Sequence, residues 1–128
     1  MKHYNPDLAP DPEQWLALDE QERIRLVEAH HRNARIKLPN VTAHACFHSI
    51  VENQIAEGLE SVVRAMGRLT KEGLSRHDAL HAIGSVVAEQ VQELMRMKDE
   101  TTKRTTEEHY NAAVERLTAE EWRRRYGS

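Results

Sequence analysis

Cysteine, glycine, proline and aromatic residues are all scarce in this chain of 128 residues. The single cysteine, Cys46, cannot form a disulfide within the chain, which is typical of proteins in a reducing compartment. Aromatic residues make up only 5% of the sequence, so a core must be built mainly from Leu, Ile, Val, Ala and Met. The absence of a long uncharged apolar run excludes a membrane-spanning helix, and the polar segment Met1–Asp7 is unlike an export signal. We therefore expect a cytoplasmic protein that does not bind membranes.

Several motifs that identify enzymes or nucleic-acid-binding proteins are also missing. The sequence contains no glycine-rich phosphate loop, no serine-centred nucleophile elbow and no C-x-x-C pair. The formal net charge is -3, although 30% of the residues are charged, and an acidic balance argues against nucleic-acid binding. The basic run Arg123-Arg124-Arg125 lies at the end of a predicted helix, where the helix dipole favours cations in any case.

Helical periodicity accounts for nearly the whole chain. Apolar residues recur at intervals of three and four, and no window alternates as a strand would. We therefore predict an all-α protein, a compact helical bundle of about six helices with a three-helix core. Residues 1–10 are assigned to an extended N-terminal arm, and residues 11–128 to a single all-α domain. The core helices are expected at about 41–57, 60–72 and 75–98.

Local signals mark where these helices begin and end. Four N-cap residues are followed three positions later by a residue suited to the first turn: Asp11, Asp19, Ser75 and Thr118. Gly58 and Gly73 lie where a helix needs a left-handed stop, and Asn40 is the expected cap of the first core helix. A polar linker is predicted over residues 99–105, before a helix that is capped by Thr106.

Histidine is the one residue type in excess, since the chain has eight and a typical protein of this length has roughly a third as many. Four of them form two i,i+4 pairs, His44/His48 and His77/His81, and each pair shares one face of its helix. Glu52 lies one turn beyond His48. Imidazoles one turn apart with a nearby carboxylate suit Zn²⁺, Fe or Ni²⁺.

Two further observations favour one shared site. At about 100° per residue, His44 and His48 fall near the apolar stripe of their helix, where a polar ring needs a partner. Tight turns between the three core helices predict an up, down, up arrangement, so that the first and third helices run parallel. Each histidine pair would then lie at the same height, within the first turns of its helix. The candidate metal ligands are His44, His48, His77 and His81, with Glu52 as a ligand or proton acceptor.

The same residues carry a resemblance to a known family. The runs TAHACFHSIVENQIA (Thr42–Ala56) and EGLSRHDALHAIGSVVA (Glu72–Ala88) resemble the signature segments of a family of short bacterial proteins, which is catalogued only as a domain of unknown function. DPEQWLALDEQERIRLVEAHHR (Asp11–Arg32) and ERLTAEEWR (Glu115–Arg123) resemble its flanking helices. The resemblance implies a compact all-α protein and supplies no established activity. It points to one set of positions: His44, His48, Glu52, Asn53, Gln54, His77 and His81, with Arg76, Asp78 and Gly84 as neighbours.

Other helical metalloprotein patterns match only in part. The spacings His48/Glu52 and His77/His81 are similar to the HxxxE and HxxxH helices of hemerythrin-type bundles, but the downstream H-x-x-x-x-D of those proteins has no counterpart. The Glu-x-x-His spacing of ferritin-like di-iron sites is absent from the first and third core helices. A single HD dipeptide at position 77 is weak support for an HD-type phosphohydrolase.

Two functions from different classes remain open at this point. In the first, the protein binds a metal, and an open coordination position would activate a bound water. In the second, it is a non-enzymatic protein-interaction module whose histidines form a buried polar network. The arm and the segment around Trp122 are the candidate contact surfaces for an unidentified protein partner, and the apolar stripes fit a core or a homo-oligomer equally well. The remaining histidines are expected at the surface, namely His3, His30, His31 and His109. Cys46 is expected in the core.

Overall fold

Seven helices are present in the part of the chain that the computed structural model describes, namely residues 1, 3–33, 41–96 and 100–126. In chain order they are α1 (Pro12–Ala17), α2 (Glu20–Asn33), α3 (Val41–Ala56), α4 (Glu60–Lys71), α5 (Arg76–Arg96), α6 (Glu100–Arg116) and α7 (Ala119–Tyr126). These ranges contain no strand, and α3, α4 and α5 each pack on the other two. The predicted all-α bundle with a three-helix core is confirmed. Within the described residues, no helix is long and apolar enough to cross a membrane.

The helix signals at four predicted starts and two predicted stops act as expected. At each of the four predicted starts, the N-cap side chain accepts a hydrogen bond from the backbone N–H three residues on, at 2.8–3.1 Å: Asp11, Asp19, Ser75 and Thr118. Gly58 and Gly73 have φ values of 77° and 105°, which L side chains rarely adopt. The predicted cap Asn40 lies outside the described residues.

The predicted linker over residues 99–105 is wrong from residue 100 onward. Helix α6 begins at Glu100, so Thr106 lies inside the helix and does not cap it. The segment is polar, but it contains no glycine or proline, and nothing in it prevents helical backbone hydrogen bonding. Polarity of composition therefore did not indicate a loop here.

Two hydrophobic clusters form the interior, and α3 contributes to both. The larger cluster includes Val51 of α3 together with Leu69, Leu80 and other fully buried residues of α4, α5 and α6. The smaller cluster consists of Tyr4, Trp15, Val27 and Ala45. Polar side chains of α3 that lie between these clusters are consequently shielded from water, and His48 and Glu52 are only 2% and 1% exposed.

The helices that carry the histidine pairs do not run parallel, which corrects the predicted arrangement. His44, near the start of α3, contacts His81 in the second turn of α5. Glu52, two turns later in α3, contacts Arg76, the first residue of α5. In a parallel pair aligned at His44 and His81, Glu52 and Arg76 would be separated by roughly 20 Å along the axes, beyond their reach. The histidines meet because α3 and α5 pass each other in opposite chain directions, so that contacts advance from His44 to Glu52 along α3 and move back from His81 to Arg76 along α5.

A test of the packing uses Arg68 of α4, whose guanidinium donates hydrogen bonds to the carbonyls of Val114 and Leu117 at the end of α6. We expect Arg68→Met to lower the free energy of unfolding by about 1–3 kcal/mol, because the carbonyls lose a charged donor at the negative end of the helix dipole. Urea denaturation followed by circular dichroism measures the change.

The matched control is Arg64→Met on the same helix. Arg64 is exposed and pairs with Glu60 and Glu115 in solvent, so its removal should leave the denaturation midpoint almost unchanged. An equal loss in both variants would show that Arg68 does not support the end of α6.

Candidate metal centre

Three imidazoles converge where α3 crosses α5. His44 and His48 come from α3 and His81 from α5, and one ring nitrogen of each lies within 4.8 Å of the others. Nε2 of His44 and Nε2 of His81 are 2.9 Å apart. Nitrogens bound to one tetrahedral ion would lie about 3.3 Å apart, a value between the 2.9 Å of this pair and the 4.8 Å that bounds the group. The three histidines are arranged so that they can hold a metal ion.

His77, the fourth predicted histidine, lies beside this group. Its ring centroid is 4.2 Å from that of His81 and 5.2 Å from that of His48, with the His48 ring nearly parallel at 20°. Its backbone N–H donates to a carboxylate oxygen of Asp7 at 3.2 Å, so the arm contacts the first turn of α5. The structure thus brings all four predicted rings together, with three of them sharing the closest group of nitrogens.

Glu52 lies outside the imidazole group because its carboxylate has other partners. Arg76 donates to both carboxylate oxygens at 2.8 Å, and the hydroxyl of Tyr4 donates to one of them as well. Burial lowers the pKa of the Arg76 guanidinium, but the hydrogen bonds and charge of Glu52 outweigh this, and the pKa is raised overall. Arg76 also donates to the carbonyl of Pro6 at 2.8 Å. Glu52 therefore accepts hydrogen bonds from the groups that join the arm, α3 and α5.

Tyr4 determines which nitrogen of His48 carries the proton. Its hydroxyl has one proton, which it donates to Glu52, and its oxygen lies 3.0 Å from Nε2 of His48. Burial, and after it the negative charge of Glu52, raises the pKa of the Tyr4 phenol far above its ordinary value, so the phenol is neutral. Nε2 of His48 must consequently donate, and in a neutral ring the lone pair then lies on Nδ1.

Sequence reasoning missed two residues of this site. His30 was predicted at the surface, but it is half-buried, and its ring centroid lies 5.5 Å from His77 and 6.4 Å from Tyr4. Its position one turn after Val27, on the buried side of α2, could have indicated that His30 is partly buried. Tyr4 was assigned to an extended arm, but it is only 6% exposed. Tyr4 is the only Phe, Tyr or Trp residue of the arm, which could have indicated that it packs against the domain.

The other side-chain predictions have mixed outcomes. His3 and His109 are exposed, as expected, and Cys46 is half-buried, so it is not a fully enclosed core residue. The side chain of His31 lies outside the described residues. The division of the chain into an arm and one domain stays a prediction.

A cleft of about 450 Å³ opens beside the three imidazoles. It is lined at one end by His44, His48 and His81, and elsewhere by mainly apolar residues: Phe47, Leu80, Gly84, Ser85, Ala88 and Trp122. Among the described lining residues, the three imidazoles are the only side chains that can carry a charge, and they do so only when protonated. His44, His48 and His81 thus all border a space that a small molecule can enter.

In comparisons with family models, curated proteins and solved structures, nothing matches this chain. The resemblance to a family of short bacterial proteins of unknown function stays a prediction. The chemistry of the site must therefore be argued from its own residues.

The ion pair between Arg76 and Glu52 is open to a double-mutant test. Arg76→Met should lower the free energy of unfolding by about 3–5 kcal/mol, because it leaves the buried carboxylate without its counter-charge. Adding Glu52→Gln to this variant should restore part of the loss, since the amide carries no charge and its oxygen still accepts from Tyr4. Urea denaturation of the wild type, both single variants and the double variant gives the coupling energy. A double variant less stable than Arg76→Met would contradict this account.

Proposed function

We propose that this protein binds one transition-metal ion, of the class Zn²⁺, Fe or Ni²⁺, through His44, His48 and His81. The observation that carries the proposal is the approach of one ring nitrogen from each histidine to within 4.8 Å of the other two. Imidazole nitrogens are preferred ligands of these ions, and a set of three is common in sites that keep one position open.

The hydrogen bonds around His48 prepare it as a ligand. Since Nε2 donates to Tyr4, Nδ1 is the nitrogen that presents a lone pair to a metal. Tyr4 in turn donates to Glu52, so a buried carboxylate supports the imidazole through the phenol. Histidine ligands commonly donate their other ring N–H to a carboxylate or a carbonyl, which orients the ring and raises its basicity. In this proposal Glu52 acts through Tyr4 and is not itself a ligand.

His44 and His81 share one proton in the metal-free protein. Their Nε2 atoms are 2.9 Å apart, so one donates and the other accepts. A metal between them needs the lone pair of both nitrogens, and binding would displace this proton from Nε2. A metal would therefore bind between Nε2 of His44 and Nε2 of His81, which already face each other.

The fourth coordination position faces the cleft in this proposal. His44, His48 and His81 line the cleft, whereas His77 is not part of its lining. A site with three histidines and one open position binds water or an exogenous ligand at that position. His77 is not a ligand in this proposal, and its ring packs against those of His48 and His81.

The competing function is a protein-interaction module in which the histidines are structural. The 2.9 Å hydrogen bond between His44 and His81 favours it, because these two rings satisfy each other without a metal. This alternative predicts that metal ions leave the stability of the protein unchanged. Metal binding therefore separates the two functions.

The decisive measurement is elemental analysis and thermal melting of protein purified without an affinity tag. We expect one Zn²⁺ per chain after loading and dialysis. A concentration of about 100 times Kd should stabilise the fold by about 2.7 kcal/mol, which raises Tm by on the order of 10 °C. In His81→Ala, both the bound metal and the rise in Tm should disappear.

The matched control is His109→Ala, since His109 is an exposed histidine on α6. It should bind metal as the wild type does, and a second ligand variant, His44→Gln, should behave as His81→Ala. Circular dichroism of each variant establishes that it is folded. Wild-type protein that takes up no Zn²⁺, Fe²⁺ or Ni²⁺ and melts at an unchanged temperature would refute the proposal in favour of the structural network.

A further inference from the structure

We infer that the cleft beside the imidazoles binds a small organic monoanion, with one metal-ligating head group and an uncharged apolar body. This inference rests on the proposed metal site, because the head group would occupy its open coordination position. Three features of the site support it: the lining of the cleft, its size and the charge balance around the histidines.

The lining selects an apolar body. Away from the histidines, the cleft presents the side chains of Phe47, Leu80, Ala88 and Trp122 and the bare backbone of Gly84. Apart from the indole N–H of Trp122, the polar group that the described lining adds is the hydroxyl of Ser85, which donates to the carbonyl of Ala82 at 2.6 Å. A charged or strongly hydrated group in this part of the ligand would lose water without gaining a partner.

The size and the lining exclude larger biological anions. A volume of about 450 Å³ lies toward the lower end of ligand pockets, which span roughly 300–1,000 Å³. The described lining residues supply no Lys or Arg for a phosphate, so nucleotides and sugar phosphates are poorly matched. The space suits an aromatic ring or a short alkyl chain.

The charge balance selects an anionic head. A divalent ion held by three neutral imidazoles is a net positive centre, and the buried carboxylate of Glu52, which accepts from Tyr4 beside His48, is already paired with Arg76 at 2.8 Å. An anionic oxygen donor on the ligand would supply the missing negative charge next to the ion. The lining residues that the structure describes include no carboxylate to act as a general base, so they favour binding of such a ligand over hydrolysis.

The test uses protein loaded with Co²⁺, whose d–d absorption reports a change of ligand. Benzohydroxamate carries the anionic head and an apolar body, acetohydroxamate has the same head with almost no body, and 4-carboxybenzohydroxamate adds a charge to the body. We expect benzohydroxamate to bind at least about tenfold more tightly than either of the others, because only its ring gains from apolar burial without desolvating a second charge. Elemental analysis after each titration establishes that the metal stays bound.

Two variants narrow the cleft without touching a proposed ligand. Ala88→Phe should weaken benzohydroxamate binding at least about tenfold and leave acetohydroxamate binding and Co²⁺ stoichiometry unchanged. Gly84→Ala should act in the same direction with a smaller effect. Its Cβ would lie 4.0 Å from Cβ of Phe47, an ordinary contact, and alanine is favoured over glycine inside a helix. Ala17→Phe, at an exposed position on α1, is the matched control and should change nothing.

The outcomes distinguish this inference from the metal site on which it rests. Protein that takes up Co²⁺ but binds all three hydroxamates alike, or is insensitive to Ala88→Phe, would overturn the inference and leave the metal site intact. Equal affinity for benzohydroxamate with and without Co²⁺ would overturn the role of the head group. Failure to take up Co²⁺ at all would overturn the proposed function itself.

Discussion

The buried ion pair between Glu52 and Arg76 is the interaction on which the rest of this structure depends. The carboxylate is fully buried and the guanidinium nearly so, with side-chain exposures of 0% and 14%. Such a pair is tolerated only if nearly every polar atom of both groups has a partner. Tyr4 and the Pro6 carbonyl supply those partners from the arm. The pair thus joins three separated segments and determines where α3 crosses α5.

The imidazole group follows from that crossing. Because Glu52 is held against the start of α5, the residues one and two turns earlier in α3 face the second turn of α5, and His44 meets His81 there. The same carboxylate orders the proton positions, since it accepts the hydrogen bond that the Tyr4 hydroxyl donates and so makes Nε2 of His48 the donor toward the Tyr4 oxygen. One ion pair therefore sets both the geometry of the site and the protonation of one of its rings.

Much of the fold could be predicted because it depends on local signals. Capping residues such as Asp11 and Ser75 form hydrogen bonds three residues away, and Gly58 and Gly73 adopt a conformation that other residues avoid. The i,i+4 spacing placed His44 beside His48 and His77 beside His81 for the same local reason. Local signals failed at residues 100–105, where polarity was taken to indicate a linker although nothing in the segment interrupts a helix.

The sequence by itself thus determined the helices, their ends other than the start of α6, and the pairing of the four histidines on two helical faces. Only the tertiary structure decided which ring nitrogens meet, which partner Glu52 takes, and that Tyr4 and His30 belong to the site. These features depend on contacts between residues up to 70 positions apart, such as the hydrogen bond from Arg76 to the carbonyl of Pro6. Periodicity and capping act within a few residues, whereas the crossing of two helices is set by packing and buried charge over the whole molecule.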